Sequence, residues 1–241
     1  MKFKADIATP RLKSIISMLS ALTDTAKLEV GPSGISAKAV DAAHVAMVAV
    51  GIPSDGFDIY EAEPCEIGLD LKKMTSVLKL AGPSDVISLT VGDDMRMTVR
   101  IGSITRRMAL PDTADMGAVK IPSLSLSAHV TMRSDDLMRG LRAVDGITDH
   151  LRLKASSDAL VMSCEGDTDS MECRLSSDEV AIDASAEVRS TFPLDYMTII
   201  AKTIPPGASI TIGLDTDYPM TISLKDNIEA EFMLAPRIES E

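Results

Sequence analysis

Pro10-Arg11-Leu12-Lys13-Ser14-Ile15-Ile16-Ser17-Met18-Leu19-Ser20-Ala21-Leu22-Thr23-Asp24 places Leu12, Ile15, Ile16, Leu19 and Leu22 on one face of a helix, with Pro10 suited to its first turn. The pattern returns 125 residues later: Leu12, Ile16, Leu19, Leu22, Thr23, Asp24 and Leu28 align with Leu137, Leu141, Val144, Ile147, Thr148, Asp149 and Leu153. Two amphipathic helices compared by chance would share the apolar positions. They would not share Thr23/Thr148 and Asp24/Asp149. A second register, at an offset of 123, aligns Leu71, Met74, Thr75 and Lys79 with Leu194, Met197, Thr198 and Lys202, then Ile87, Leu89 and Met97 with Ile210, Ile212 and Met220. Met108 and Pro111 return to the offset of 125, with Met233 and Pro236. The chain reads as one domain written twice.

Four segments carry helical spacing: residues 10–22, 71–81, 134–144 and 193–204. Each has a single apolar stripe and is expected to lie on a sheet. Most of the remainder alternates apolar and polar residues at period two, as in residues 86–91, 95–101 and 209–212. Turn residues separate these strands at Gly31-Pro32-Ser33-Gly34, Gly92-Asp93-Asp94 and Asp215-Thr216-Asp217. The fold class is α+β, with antiparallel sheets. Between the halves, residues 111–123 run from small and polar to apolar and are bracketed by prolines. The division is therefore residues 1–112, a connector at 113–124 and residues 125–241, with Val119 and Ile121 too apolar for a merely solvated linker.

The 241 residues include 24 Lys and Arg against 36 Asp and Glu, a net charge of −12 that by itself argues against nucleic acid. Sorting the charges by segment reverses that inference. The helical segments hold or adjoin nine cations, Arg11, Lys13, Lys72, Lys73, Lys79, Arg133 (just before the third helix), Arg139, Arg142 and Lys202, and four acids, Asp135, Asp136, Asp145 (just after the third helix) and Asp195. That leaves 15 of the 24 cations and 32 of the 36 acids elsewhere, so the helices are net +5 and the rest −17. A surface collecting all four helices would be a basic band on an acidic particle. Solvated helix faces favour Lys and Arg anyway, so this pattern taken alone fits either reading. Aromatic content is 3% and there is no Trp, which argues against a stacking platform for single strands. No recognition helix or zinc finger is present, so contacts would go to phosphates, independent of sequence.

Other chemistry is set aside residue by residue. His44, His129 and His150 are too far apart in sequence for a local metal motif, and the acidic turns lack the full ligand loop of a calcium site. There is no phosphate-binding loop, so no cofactor and no metal is expected. Cys65, Cys164 and Cys173 are an odd count without C-x-x-C spacing, fitting a reducing compartment and roles in packing. No apolar run approaches the roughly 18 residues of a membrane span, and residues 1–7 alternate like a strand rather than forming a signal core. A soluble, unexported protein is expected.

The chain resembles the sliding clamps of the proliferating cell nuclear antigen type, and most closely the archaeal ones, over essentially its whole length. The marks are Gly34-Ile35-Ser36-Ala37-Lys38-Ala39-Val40-Asp41-Ala42-Ala43-His44-Val45, Asp55-Gly56-Phe57-Asp58-Ile59-Tyr60, Leu78-Lys79-Leu80-Ala81-Gly82 and Leu234-Ala235-Pro236-Arg237-Ile238-Glu239, in that order on a duplicated architecture. The resemblance implies a non-enzymatic processivity factor, a homotrimeric ring around duplex DNA with helices lining the hole and sheets outside. It implies edge pairing between subunits, within residues 103–110 of one and 169–175 of the next. The nine helical cations fall where such clamps present basic residues to DNA, the correspondence being closest for Lys79, Arg139, Arg142 and Lys202. The resemblance also implies a pocket for short peptide motifs of DNA polymerase, clamp loader, nucleases and ligase. Its lining, carried over by position, is Val40, His44, Val45, Met47, Val119, Ile121, Pro219, Leu234, Ala235 and Pro236, with the backbone around residues 235–238 pairing with the peptide. The location implied is the nucleoid-associated cytoplasm of a prokaryote, or a nucleus.

Two other classes stand beside this reading. One is a sandwich-type enzyme with a pocket assembled across the halves, for which an activity lost on substituting His44 would speak. The other is a subunit of a heteromeric clamp, replicative or of checkpoint type, which would form no ring alone.

Overall fold

In the computed structural model, residues 2–114, 116–225 and 228–237 are described. They fall into two compact units, residues 2–121 with 228–230, and residues 122–225 with 231–237. The first runs β1 (Phe3–Ala8), α1 (Thr9–Ser20), β2 (Thr25–Gly31), β3 (Gly34–Val40), β4 (Ala46–Pro53), β5 (Ile59–Ala62), β6 (Cys65–Asp70), α2 (Leu71–Leu78), β7 (Val86–Val91), β8 (Arg96–Ile101) and β9 (Ile104–Ala109). The second repeats the order with β10 (Ala128–Arg133), α3 (Ser134–Val144), β11 (His150–Ala155), β12 (Ala159–Glu165), β13 (Ser170–Ser176), β14 (Ala181–Ala184), β15 (Val188–Pro193), α4 (Leu194–Thr203), β16 (Ser209–Leu214), β17 (Met220–Lys225) and β18 (Glu229–Leu234). A single 3-10 turn at Ser54–Gly56 is added in the first.

The duplication extends to strand order. The first unit has β5-β1-β7-β8-β9 and β4-β3-β2-β6; the second has β14-β10-β16-β17-β18 and β13-β12-β11-β15. Every described pairing is antiparallel. Single hydrogen bonds repeat as well. Thr9 N–H donates to the Asp85 carbonyl at 3.1 Å, and Ser134 N–H to that of Ala208 at 2.9 Å. Leu71 N–H donates to Asp24 at 3.0 Å, and Leu194 N–H to Asp149 at 2.9 Å. These bonds occupy amide groups at helix starts that no intrahelical carbonyl can reach.

Each helix buries its stripe against sheet: Leu12, Ile15, Ile16 and Leu19 on α1, Leu71, Met74, Val77 and Leu78 on α2, Leu137, Leu141 and Val144 on α3, Met197 and Ile200 on α4. Within each unit the two helices pack side by side, α1 with α2 and α3 with α4. Burying such side chains stabilises by roughly 1.5–3 kcal/mol each, which fixes the helices and leaves their other faces to solvent.

Several boundaries differ from the periodicity: helix α1 spans Thr9–Ser20 rather than residues 10–22, leaving Leu22 in the turn that follows it, and α4 ends at Thr203. Helix α2 stops at Leu78 rather than continuing to residue 81, because Leu80 and Ala81 bond back three residues, to Val77 and Leu78, ahead of Gly82-Pro83. Helix α4 starts at Leu194, since Pro193 holds extended backbone (ψ 126°) as the last residue of β15. Strand β8 starts at Arg96, because Met95 sits at φ +50° in the preceding turn. Residues 110–127 form no strand or helix among those described. No helix of the described residues is long and apolar enough to cross a membrane.

Candidate functional site

The nine cations form two groups, one in each unit. In the first unit Lys72, Lys73 and Lys79 are exposed on or just beyond α2, while Arg11 and Lys13 are half-buried on α1. Lys13 Nζ donates to the Ala81 carbonyl at 2.8 Å, and the Arg11 guanidinium donates to the Gly56 carbonyl. Those two side chains fasten α1 to its surroundings. Lys72 pairs with Asp24 at 2.6 Å and Lys73 with Asp70 at 3.1 Å. Asp70 also caps α2, its Oδ1 accepting Lys73 N–H at 2.9 Å, a bond that holds its carboxyl below the ordinary value.

In the second unit Arg133, Arg139, Arg142 and Lys202 are all exposed. Arg139 pairs with Asp136 at 2.7 Å, one helical turn away. Lys79, Arg133, Arg142 and Lys202 make no ion pair among the described residues. Exposed pairs such as Lys72–Asp24 contribute little and yield readily to a phosphate. Each helix pair thus presents exposed positive charge on the face turned away from its sheets.

The second feature lies on the outer face of β2-β3-β4 in the first unit. Alternation buries Ala26, Leu28, Ala37, Ala39, Ala46 and Val48 on one side and turns Thr25, Lys27, Lys38, Val40 and Met47 to the other. Val40 and Met47 are cross-strand partners. Residues 116–120 flank these side chains across a groove of about 540 Å³ that His44 also lines. Of the positions expected here from the sequence, Val40, His44, Met47 and Val119 are brought together. Val45 and Ile121, both half-buried, lie outside its lining.

A residue the sequence reading passed over shapes this site. Buried Asp41 accepts N–H bonds from Ala43 at 2.9 Å, Val45 at 2.8 Å and Ala46 at 2.7 Å, while its carbonyl accepts His44 N–H at 3.0 Å. The loop is wound so tightly that His44 adopts φ +57°, which a non-glycine residue holds only when its surroundings enforce it. An aspartate followed by two alanines at a strand end was the available signal for such a turn. Gly68 was missed too; it is buried on β6 opposite Lys27, directly under the backbone of Pro111.

The remaining expected positions belong to the second unit. Leu234 is buried at the end of β18, and Pro219, Ala235 and Pro236 are half-buried. Tyr218 N–H donates to Ser190 Oγ at 3.1 Å, and Arg237 N–H to the Thr191 carbonyl at 2.7 Å, so β15 holds both segments. Arg237 Nη1 donates to Asp149 at 2.8 Å. His150, then Arg237, hold the Asp149 carboxyl below its ordinary value. Ile238 lies outside the described residues.

The second repeat carries a groove of its own, about 380 Å³, lined by His150, Arg152, Ser163 and Glu165. These stand 125 positions after Thr25, Lys27, Lys38 and Val40. The place is the same, yet the apolar side chain Val40 has become a carboxylate.

Two family models match the chain, Proliferating cell nuclear antigen, N-terminal domain, over residues 3–106 and Proliferating cell nuclear antigen, C-terminal domain, over residues 120–237. The chain belongs to the proliferating cell nuclear antigen family. It is 34% identical over 242 residues to the DNA polymerase sliding clamp of Methanothrix thermoacetophila, covering 99% of each chain. To that of Methanosarcina barkeri it is 33% identical over 244 residues, covering 99% of this chain and 100% of the relative. Among solved structures, A. fulgidus PCNA bound to the C-terminal region of FEN-1 matches with a TM-score of 0.95 at 30% identity, over 99% of this chain and 100% of that one. PCNA from Thermococcus kodakaraensis matches in fold, with a TM-score of 0.91 at 23% identity over 98% and 100%. The α+β architecture of two clamp domains is that of the family.

Proposed function

We propose that the chain acts as a DNA polymerase sliding clamp by closing, with two further copies of itself, into a ring around duplex DNA. The observation that carries this reading is the exposed positive charge on both helix pairs of a chain whose net charge is −12. Lys72, Lys73, Lys79, Arg133, Arg139, Arg142 and Lys202 meet phosphates, while Arg11 and Lys13 contribute mainly by positioning α1. A closed ring cannot leave DNA sideways, so it needs only weak, sequence-independent contacts, and weak contacts permit sliding. The tether performs no reaction of its own.

Ring closure is assigned to β9 and β13, each an edge of its sheet. Open edges invite pairing with another chain, and closure removes them. The connector is assigned to residues 113–124, between domains 1–112 and 125–241.

The groove on β2-β3-β4 receives a short apolar segment of replication and repair proteins, with Val40, His44, Met47 and Val119 against it. Residues 235–237 pair with such a peptide by strand addition. That the C-terminal region of FEN-1 binds the A. fulgidus relative supports a role in receiving peptide segments of other proteins. Light scattering tests the assembly: a mass near three times 25.7 kDa is expected, and a stable species of one chain mass would overturn it.

A further inference from the structure

In each repeat one aspartate stands before the second helix, and its carbonyl receives the helix's first amide. The carboxylates have different partners. Asp24 takes Lys72 at 2.6 Å. The position equivalent to Lys72 in the second repeat is Asp195, and two carboxylates do not pair. Asp149 binds Arg237 at 2.8 Å instead. The exchange is reciprocal, because the first-repeat position equivalent to Arg237 is Asp112, which Asp24 cannot hold. His150 Nδ1, within 2.8 Å of Thr148 Oγ1, meets the same Oδ1 of Asp149 at 2.9 Å and so orients the carboxylate.

We propose that Asp149 is a positioning residue for partner binding, holding residues 235–237 along the edge strand β15 so that their backbone is ready to accept a peptide strand. Arg237 is fastened twice, its amide to the Thr191 carbonyl at 2.7 Å and its guanidinium to Asp149. Two attachments at one residue fix both the path and the rotation of the backbone just before it. An arm already fastened loses less conformational freedom when a peptide adds to it. The first repeat lacks this attachment at Asp112, so the device belongs to the second repeat. The inference rests on the proposed role of residues 235–237 in pairing with peptide.

The test uses the full chain and a synthetic peptide with the sequence of the FEN-1 C-terminal region. Binding is measured by calorimetry, and exchange of the Arg237 amide by NMR, for the unsubstituted protein, Asp149→Asn, Arg237→Gln and the exchanged pair Asp149→Arg with Arg237→Asp. Each single substitution is expected to weaken binding about two- to fivefold, the range of an exposed ion pair, with Asp149→Asn also speeding exchange of the Arg237 amide. The exchanged pair is expected to recover most of the affinity. Single substitutions that bind as tightly as the unsubstituted chain, or Asp149→Asn leaving amide exchange unchanged, would overturn the inference. If the unsubstituted chain itself does not bind the peptide, the peptide site falls and the inference with it, a result distinct from a variant-specific null.

Discussion

The Pro111 carbonyl lies so close over Gly68 that a β-carbon on Gly68 would stand 2.2 Å from its oxygen and 3.3 Å from Met116 Cε. The glycine is needed here for close approach. Any side chain on this buried strand position pushes against the Pro111 backbone and Met116, and so disturbs residues 116–120 along the groove. Gly68→Val is expected to cost about 2 kcal/mol, the range of overpacking, and to weaken peptide binding more than it lowers the melting temperature. Calorimetric titration beside a thermal melt separates the two effects.

The Asp41 carboxylate collects three amides in a loop that carries His44 at φ +57°. Asp41→Ala leaves those donors without their acceptor, and a destabilisation of about 2–4 kcal/mol is expected in denaturant unfolding. His44→Gly relieves the strained backbone while deleting a groove wall. Stability held or slightly raised with weakened peptide binding is the outcome expected there.

Much of this architecture was legible in the sequence because a duplicated pattern gives each half as a check on the other. The repeat Leu12-Ile16-Leu19 against Leu137-Leu141-Val144 requires two equal helices, and the alternation of Val86-Ile87-Ser88-Leu89 requires a strand. The charge segregation followed from the same element boundaries. What escaped was backbone geometry. Asp41 reads as one more acid until its three amide bonds are traced, and Gly68 reads as an ordinary strand glycine until Pro111 is found above it. The sequence alone does not place Val45 or Ile121 relative to the groove, because position in a motif does not determine which way a loop side chain faces.

The cap on α2 should respond to pH in a defined direction. The Asp70 carboxyl, held below its ordinary value by the Lys73 amide, contributes stability that is present above the unfolded value of about 3.9 and lost as pH falls through the folded one. Asp70→Ala is therefore expected to cost about 1 kcal/mol at pH 7. In urea titrations that difference should shrink steadily below about pH 4.

Lys79, Arg142 and Lys202 are exposed and make no ion pair among the described residues, so their charge is available to DNA. Replacing them with alanine is expected to reduce the slope of log affinity against log salt by roughly 0.9 for each phosphate contact removed, without altering sequence preference. Fluorescence anisotropy on two unrelated duplexes at several salt concentrations measures both. An unchanged slope would remove these residues from the DNA-facing surface.

Retention on closed and opened DNA tests the encircling ring most directly. The protein, placed on nicked circular duplex by a clamp loader, is separated from free protein by gel filtration before and after the circle is cut once. Co-elution with the circle and release from the linear form are expected. Equal retention on both would contradict topological tethering and leave an ordinary DNA-binding protein.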